Sequence, residues 1–289
     1  MGSTASRHTR RTQVIFSGMQ ILDARRVLSA DRRGSSWPVL VETDHGIIFT
    51  KLRGAAQGTG ALVAEVIVAE LAESLGLRVP ERSLIRFGGD VESVDRNDEL
   101  ADLLRASHGL NLGFAYLESA RHFSPTDDIT GVRQADAAAI LWLDGLTSNP
   151  DRTARNPNLL WWNDDLWLID HGAALGFQYA LPGVDELAAR RPYTMREPHL
   201  LQDRAGNLDA FDTELSARVP PASVERAVAA VPDEFLPALG RVELANRHAA
   251  YVDYLSRRLE PPRPFLNATV ARPNEQQRRG RPAWLAPPR

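Results

Sequence analysis

The sequence predicts an α+β protein of two lobes, a small strand-rich lobe with one helix followed by a larger, mainly helical lobe. Three observations carry this. Short runs of β-branched and large apolar residues, separated by turn residues, crowd into the first third of the chain. One strongly helical segment, 60–75, interrupts them. From about residue 98 onward the apolar period is helical, apart from one short hairpin.

In chain order, 21–28 and 38–42 read as strands, and 46–52 (GIIFTKL) follows an Asp-His-Gly turn at 44–46. Segment 60–75 places apolar residues at 62, 63, 66, 67, 71 and 75, and Gly76 supplies a helix stop. Segment 82–87 is a further strand, entered after Pro80. Segment 134–146 (QADAAAILWLDGL) is apolar enough to be a buried helix. Segments 158–162 and 166–169 form a hairpin across Asn163-Asp164-Asp165, and helices at 222–231 and 234–259 close the second lobe. The expected organisation is a flexible basic tail (1–18), an N-lobe (19–90), a C-lobe (91–260) and a Pro/Arg-rich tail (261–289).

Composition removes several functions. The 289 residues carry 34 basic and 37 acidic side chains, so the formal charge of −3 leaves no basic excess for a nucleic-acid partner. With no Cys there is no disulfide framework, thiolate zinc site or Cys nucleophile. The seven His show no paired-ligand spacing. No apolar run reaches membrane-spanning length and the N-terminus lacks the apolar stretch of a secretory signal, so the expectation is a cytoplasmic protein with no membrane partner. Of the 34 basic residues, 33 are Arg and one is Lys51. A chain that uses Arg almost everywhere and keeps one Lys raises the question of whether a compact ammonium is needed there.

Lys51 ends the third strand, and Glu65 follows 14 residues later on the next helix. A strand Lys and a helix Glu can pair across a small lobe and direct the ammonium at nucleotide phosphates. The alternative is a surface Lys beside an unrelated Glu, and Glu70 is a competing partner. Between the first two strands, Arg33-Gly34-Ser35-Ser36 is a small-residue loop whose backbone N–H groups could approach phosphate, although a plain hairpin turn explains it equally well.

The segment 149–158 (NPDRTARNPN) holds Asp151 and Asn156, and the strand after it ends in Asp170-His171-Gly172. Phosphoryl transfer needs a carboxylate to orient the acceptor hydroxyl, a carboxylate and an amide oxygen on magnesium, and a Lys on the phosphates. Asp151, Asp170, Asn156 and Lys51 supply that set in the chain order of protein kinases. Other residues have plainer readings. Arg152 and Arg155 could meet phosphate or a partner carboxylate, Asp144 a local hydrogen bond, and Asn158 a loop-bracing contact. Trp142, Trp161, Trp162 and Trp167 read as core, and His108 has no evident acid/base partner.

The run 144–162 (DGLTSNPDRTARNPNLLWW), its continuation LIDHGAAL at 168–175, and the segments 62–65 and 75–80 together resemble the HipA-like kinase family, in its compact actinobacterial branch. The resemblance covers most of 19–260. It implies a bilobal, protein-kinase-like fold related to phosphoinositide kinases, with ATP and Mg²⁺ as cofactors and transfer to a Ser or Thr hydroxyl. Position by position, it implies Lys51 on the phosphates, Glu65 paired to it, Asp151 as catalytic base, and Asn156 and Asp170 on magnesium. Arg33, Gly34, Ser35 and Ser36 would line the nucleotide, and Ser35 or Ser36 would be a site of phosphorylation in cis. The acceptor, protein or small molecule, is open, as is an antitoxin-like partner. The sequence departs from the kinase pattern in having Asn149-Pro150 before Asp151 and His171 where DFG has Phe. A nucleotide-binding pseudokinase without turnover, or a small-molecule kinase, is therefore the alternative.

Overall fold

The computed structural model describes residues 15–16, 18–31, 37–89, 91–124, 126–179, 186–237, 242–243, 246–267 and 269–270. The N-terminal part consists of β1 (Ile15–Phe16), β2 (Met19–Asp23), β3 (Arg26–Ala30), β4 (Val39–Thr43), β5 (Gly46–Lys51), α1 (Gly58–Ser74), β6 (Arg82–Phe87), β7 (Glu92–Ser93), α2 (Asp98–Ala106) and β8 (Gly109–Ala115). The strands form one mixed sheet in the order β1-β2-β6-β8-β5-β4-β3-β7, with β2 parallel to β6, β3 parallel to β7 and the other pairs antiparallel.

Two sequence expectations need correction here. Segment 21–28 is not one strand but two. Its break at Ala24-Arg25 lets the chain cross between non-adjacent strands of a curled sheet: the Ala24 N–H donates to Arg86 O on β6, and the Arg25 N–H to Glu42 O on β4. The strand-rich lobe also does not end near 90, because β8 lies between β6 and β5. Its sequence, GLNLGFA, hides a strand behind residues of low β propensity. Gly113 is small because Ile48 and Ile85 close over it, so that a Cβ would lie 2.6 Å and 2.7 Å from their side chains. Asn111 is buried, donating to Ser107 O at 2.9 Å and accepting from the Arg53 N–H at 2.9 Å.

The remainder contains β9 (Arg121–His122), α3 (Gln134–Thr147), β10 (Leu159–Trp162), β11 (Asp165–Leu168), α4 (Glu186–Arg190), β12 (Thr194–Met195), α5 (Gln202–Ala205), α6 (Asp209–Arg218), α7 (Pro221–Ala229), α8 (Arg247–Leu259) and β13 (Thr269–Val270). The hairpin β10–β11 turns at Asn163 and Asp164, both with positive φ, as a two-residue hairpin turn of primed type requires. The expected helix over 234–259 is a short 3₁₀ turn at Asp233–Phe235 and then α8; Pro237 lies between them and stops continuous helix. Among the described residues, no helix is long and apolar enough to cross a membrane.

Helix α1 joins the two parts. It is buried on all sides, from Gly60 through Ala69 and at Leu71 and Ala72, so it is a core helix rather than a one-faced surface helix. The second lobe holds both of its ends. Gln178 Nε2 donates to Gly60 O at 3.1 Å and the Tyr179 hydroxyl to Gln57 O at 3.4 Å. At the other end Arg218 donates to Leu75 O at 3.1 Å and Arg226 to Ser74 Oγ at 3.2 Å.

Helix α3 centres the second core. Trp142 is fully buried, its indole N–H donating to Asp212 at 2.8 Å and its ring meeting Phe265 edge-on at 5.3 Å. Trp161, Trp162 and Trp167 are only half-buried, on the hairpin. Phe265 is fully buried in the segment that reads from composition as the start of a tail, because its ring fills the space against Trp142 and the small Gly145. Phe265→Ala is therefore expected to cost about 3–5 kcal/mol. Urea unfolding checks this, and a midpoint equal to that of the wild type would place the segment outside the core.

Candidate active site

The register of β5 against β4 and β8 sets Lys51 at the strand's last position, opposite Leu112. From there its ammonium reaches two carboxylates on other elements. Nζ donates to Glu65 Oε1 on α1 at 2.5 Å and to Asp170 Oδ1, just beyond β11, at 2.6 Å. The Lys51 side chain is 9% exposed and that of Glu65 is 0% exposed, so this pair is closed to bulk water. Burial disfavours the ammonium, but Glu65 and Asp170 outweigh it and hold the Lys51 pKa above the ordinary lysine value. Burial drives the Glu65 carboxyl up against the pull of Lys51, whereas Asp170, 40% exposed, is lowered because Lys51 outweighs its burial. Glu70 is not the partner: it accepts from Arg82 at 2.7 Å, beside Glu73.

Asp170 sits at φ +56°, in the left-handed region, and a non-glycine residue there costs energy that the surroundings must supply. The turn packs directly on α1. A Cβ at Gly172 would lie 3.3 Å from both Ala61 Cβ and Gln57 Oε1, a tight approach that the glycine after the Asp-His pair relieves.

The loop between α3 and β10 carries Asp151 and Asn156. Asn156 Nδ2 donates to Asp151 Oδ2 at 2.8 Å, and Asn158 Nδ2 donates to Asp151 O at 3.3 Å. Asn158 therefore braces the loop. Partial burial and the nearby Asp170 charge raise the Asp151 pKa above the usual carboxylate value. Among the described residues no hydrogen bond joins Asn156 to Asp170.

Magnesium is tested by the donors present. No cluster of three His, Cys, Asp or Glu suitable for a metal occurs among the described residues. Magnesium does not require one, since it is held by one or two protein oxygens together with phosphates and water. Asp170 uses Oδ1 on Lys51 and Asn156 uses Nδ2 on Asp151, leaving a carboxylate oxygen and an amide oxygen as hard ligands. The donor set fits. Arg33, Gly34, Ser35 and Ser36 lie outside the described residues.

Beneath this surface lies a buried polar network that the sequence reading did not assemble. Asp144, Arg152 and His199 are all fully enclosed, with side chains 0% exposed. Arg152 Nε donates to Asp144 Oδ2 at 2.6 Å, and His199 Nε2 meets the same oxygen at 2.9 Å. The Leu201 N–H donates to His199 Nδ1 at 3.1 Å, which fixes the proton on Nε2 and makes His199 the donor to Asp144. Arg152 and His199 hold the Asp144 carboxyl well below the usual range despite its burial. Arg155, by contrast, is exposed and pairs with Glu197 at 3.1 Å. His171 is buried, with Nδ1 3.5 Å from Arg152, and burial followed by the Arg152 charge lowers its pKa to about 3. It is a neutral imidazole at physiological pH. An Asp in the apolar stretch of α3 was the available signal for the pair, since a buried carboxylate requires a partner; nothing local marks His199.

A family model described as HipA-like kinase matches residues 25–239. No curated protein matches the chain. Among solved structures, the fold is similar to that of a Helicobacter pylori proinflammatory kinase, CtkA, with TM-score 0.50, 12% sequence identity, and coverage of 80% of this chain and 92% of that one. At this identity the likeness is one of fold.

The Asp144–Arg152 pair makes a stability prediction. Asp144→Asn leaves a buried guanidinium without its counter-charge and is expected to cost about 3–5 kcal/mol at pH 7. Because the folded-state pKa of Asp144 lies below its unfolded value, the wild-type advantage is present above the unfolded pKa and lost as pH falls through the folded one. The difference between the two proteins should therefore shrink below about pH 4. Urea unfolding at a series of pH values measures it.

Proposed function

The chain belongs to the HipA-like kinase family, and from that membership we propose that it transfers the γ-phosphoryl group of ATP, with Mg²⁺, to a Ser or Thr hydroxyl of a protein. The observation that supports this most directly is the Lys51 ammonium held between Glu65 and Asp170, with Asp151 and Asn156 on the neighbouring loop. A buried ammonium with two of its three N–H donors on carboxylates has one donor left for a phosphate oxygen. Glu65 fixes the direction of the Lys51 stem. Asp170 and Asn156 would hold magnesium, which when bound neutralises phosphate charge and orients the transferred group.

Asp151 is the base in this reading. Asn156 occupies Oδ2, so Oδ1 is the atom that takes the acceptor hydroxyl proton. Its raised pKa makes it a better proton acceptor than an ordinary Asp. The same base serves a protein or a small-molecule hydroxyl, and the protein acceptor rests on the family.

The test is incubation with γ-³²P-ATP and Mg²⁺, alone and with a lysate. Asp151→Asn and Asp170→Asn are each expected to lower labelling by about 10²-fold or more. Lys51→Arg should fall comparably, since a planar fork cannot sit between two carboxylates at the distances of an ammonium. The acid limb of the rate profile should lie above the ordinary carboxylate pKa, with activity lost as pH falls through the raised Asp151 value. Labelling indifferent to all three substitutions would overturn the proposal. Nucleotide-dependent thermal stabilisation with no label would assign a binding role without turnover.

A further inference from the structure

We propose that Arg152, adjacent to Asp151, is a positioning residue that sets the catalytic loop and the Asp170 turn relative to each other. The inference rests on the kinase reading of the site and adds a residue that contacts neither phosphate nor acceptor.

The argument begins with how many separate segments one buried side chain joins. The guanidinium donates from Nε to Asp144 Oδ2 at 2.6 Å and from one terminal nitrogen to Asp144 Oδ1 at 3.3 Å, tying the loop to α3. Its other terminal nitrogen donates to Asn158 O at 2.5 Å, closing the loop that contains Asp151 and Asn156 onto itself. The nitrogen facing Asp144 Oδ1 also lies 3.5 Å from His171 Nδ1, beside Asp170. The Arg152 backbone accepts from the Leu200 N–H at 3.0 Å and so fixes the segment that carries His199. One guanidinium thus touches both sequence neighbourhoods that supply the reacting carboxylates.

The supporting groups are specific to this task. Asp144 also accepts from Asn149 Nδ2 at 3.0 Å, and the Tyr193 hydroxyl donates to Asn149 O at 2.5 Å, so the entrance to the loop is fixed from two sides. The Asn158 carbonyl also reaches the end of the hairpin, with the Ile169 N–H donating to Asn158 O at 3.1 Å. Asn158 O therefore receives both Arg152 and the residue preceding Asp170. A planar fork with donors in fixed directions can serve Asp144, Asn158 O and His171 together, which a lysine ammonium cannot. The cation also lowers the proton affinity of both Asp151 and Asp170. His171 suits its place in this arrangement: Nδ1 is an acceptor for Arg152, which a Phe would not provide.

The test uses Arg152→Lys and the charge-neutral pair Arg152→Met with Asp144→Asn, each in the full chain. Amide hydrogen exchange is followed over 149–158 and 169–175, together with melting temperature, ATP affinity and turnover. In Arg152→Lys, exchange should rise by about tenfold or more in both segments together, with α1 unchanged, as expected for a local opening. Turnover should fall by about 30- to 100-fold with ATP affinity within about threefold, the signature of misplaced reacting groups rather than lost binding. In the neutral pair the melting temperature should recover without recovery of turnover, whereas a purely structural ion pair would restore both. Unchanged exchange in either segment, or turnover recovering with stability, would overturn the proposal. If the wild type itself transfers no phosphate, the kinase reading fails, and the exchange arm still decides whether Arg152 couples the two segments.

Discussion

The ammonium of Lys51 between Glu65 and Asp170 is the contact through which the sheet, helix α1 and the second lobe are held to one geometry. Each partner comes from a different part of the chain, and the two buried members, Lys51 and Glu65, depend on each other. Glu65 is fully buried and, among the described residues, its second oxygen, Oε2, has no hydrogen-bond partner, so Lys51 is its main counter-charge in the middle of an apolar helix. Asp170 in turn occupies a left-handed backbone conformation that an isolated turn would not favour. The strain is carried by the ion pair above it and by the close approach of Gly172 to α1 below it.

The burial of α1 gives this contact its permanence. A helix resting on a sheet by one face can rotate or slide, taking its carboxylate with it. Here the second lobe packs on the other face and bonds to the backbone or side chains at both ends, through Gln178 and Tyr179 near the start and Arg218 and Arg226 near the finish. Moving Glu65 away from Lys51 would require breaking apolar packing on all sides of the helix at once. The turn that carries Asp170 meets this fixed helix directly at Gly172.

What the sequence revealed and what it hid follow from the range of each interaction. Segment 60–75, the strand 82–87 and the hairpin were legible because period, turn residues and stops are local signals. Lys51, Glu65, Asp151, Asn156 and Asp170 stand out in the sequence by residue type and order, and the fold brings Lys51 to Glu65 and Asp170 and Asn156 to Asp151. Strand β8 was not legible: Gly109, Asn111 and Gly113 suit their neighbours Arg53, Ile48 and Ile85, and those demands come from other strands. The break at Ala24-Arg25 likewise reflects the curl of the sheet rather than any turn residue. Phe265 looked like part of a polar tail because its partners, Trp142 and Gly145, are 120 or more residues away. Arg152 was read as equally suited to phosphate or carboxylate, and only the enclosure of Asp144 and His199 decides for the carboxylate.

The same enclosure explains why the two kinds of cation are divided as they are. At Arg152 the partners are spread over a carboxylate, a carbonyl and an imidazole nitrogen, in directions that a guanidinium fork matches. At Lys51 the partners are two carboxylates converging on one point, at 2.5 Å and 2.6 Å, with the side chain almost closed to water. A guanidinium spreads its charge over a plane several ångströms wide and would hold the carboxylates apart. An ammonium has its three donors arranged tetrahedrally around one nitrogen, and with two committed the third points elsewhere. In a chain that uses Arg at 33 of its 34 basic positions, the remaining Lys stands where geometry excludes Arg. The site chemistry thus bears on the one Lys, which stands where the charge must be a point between two carboxylates.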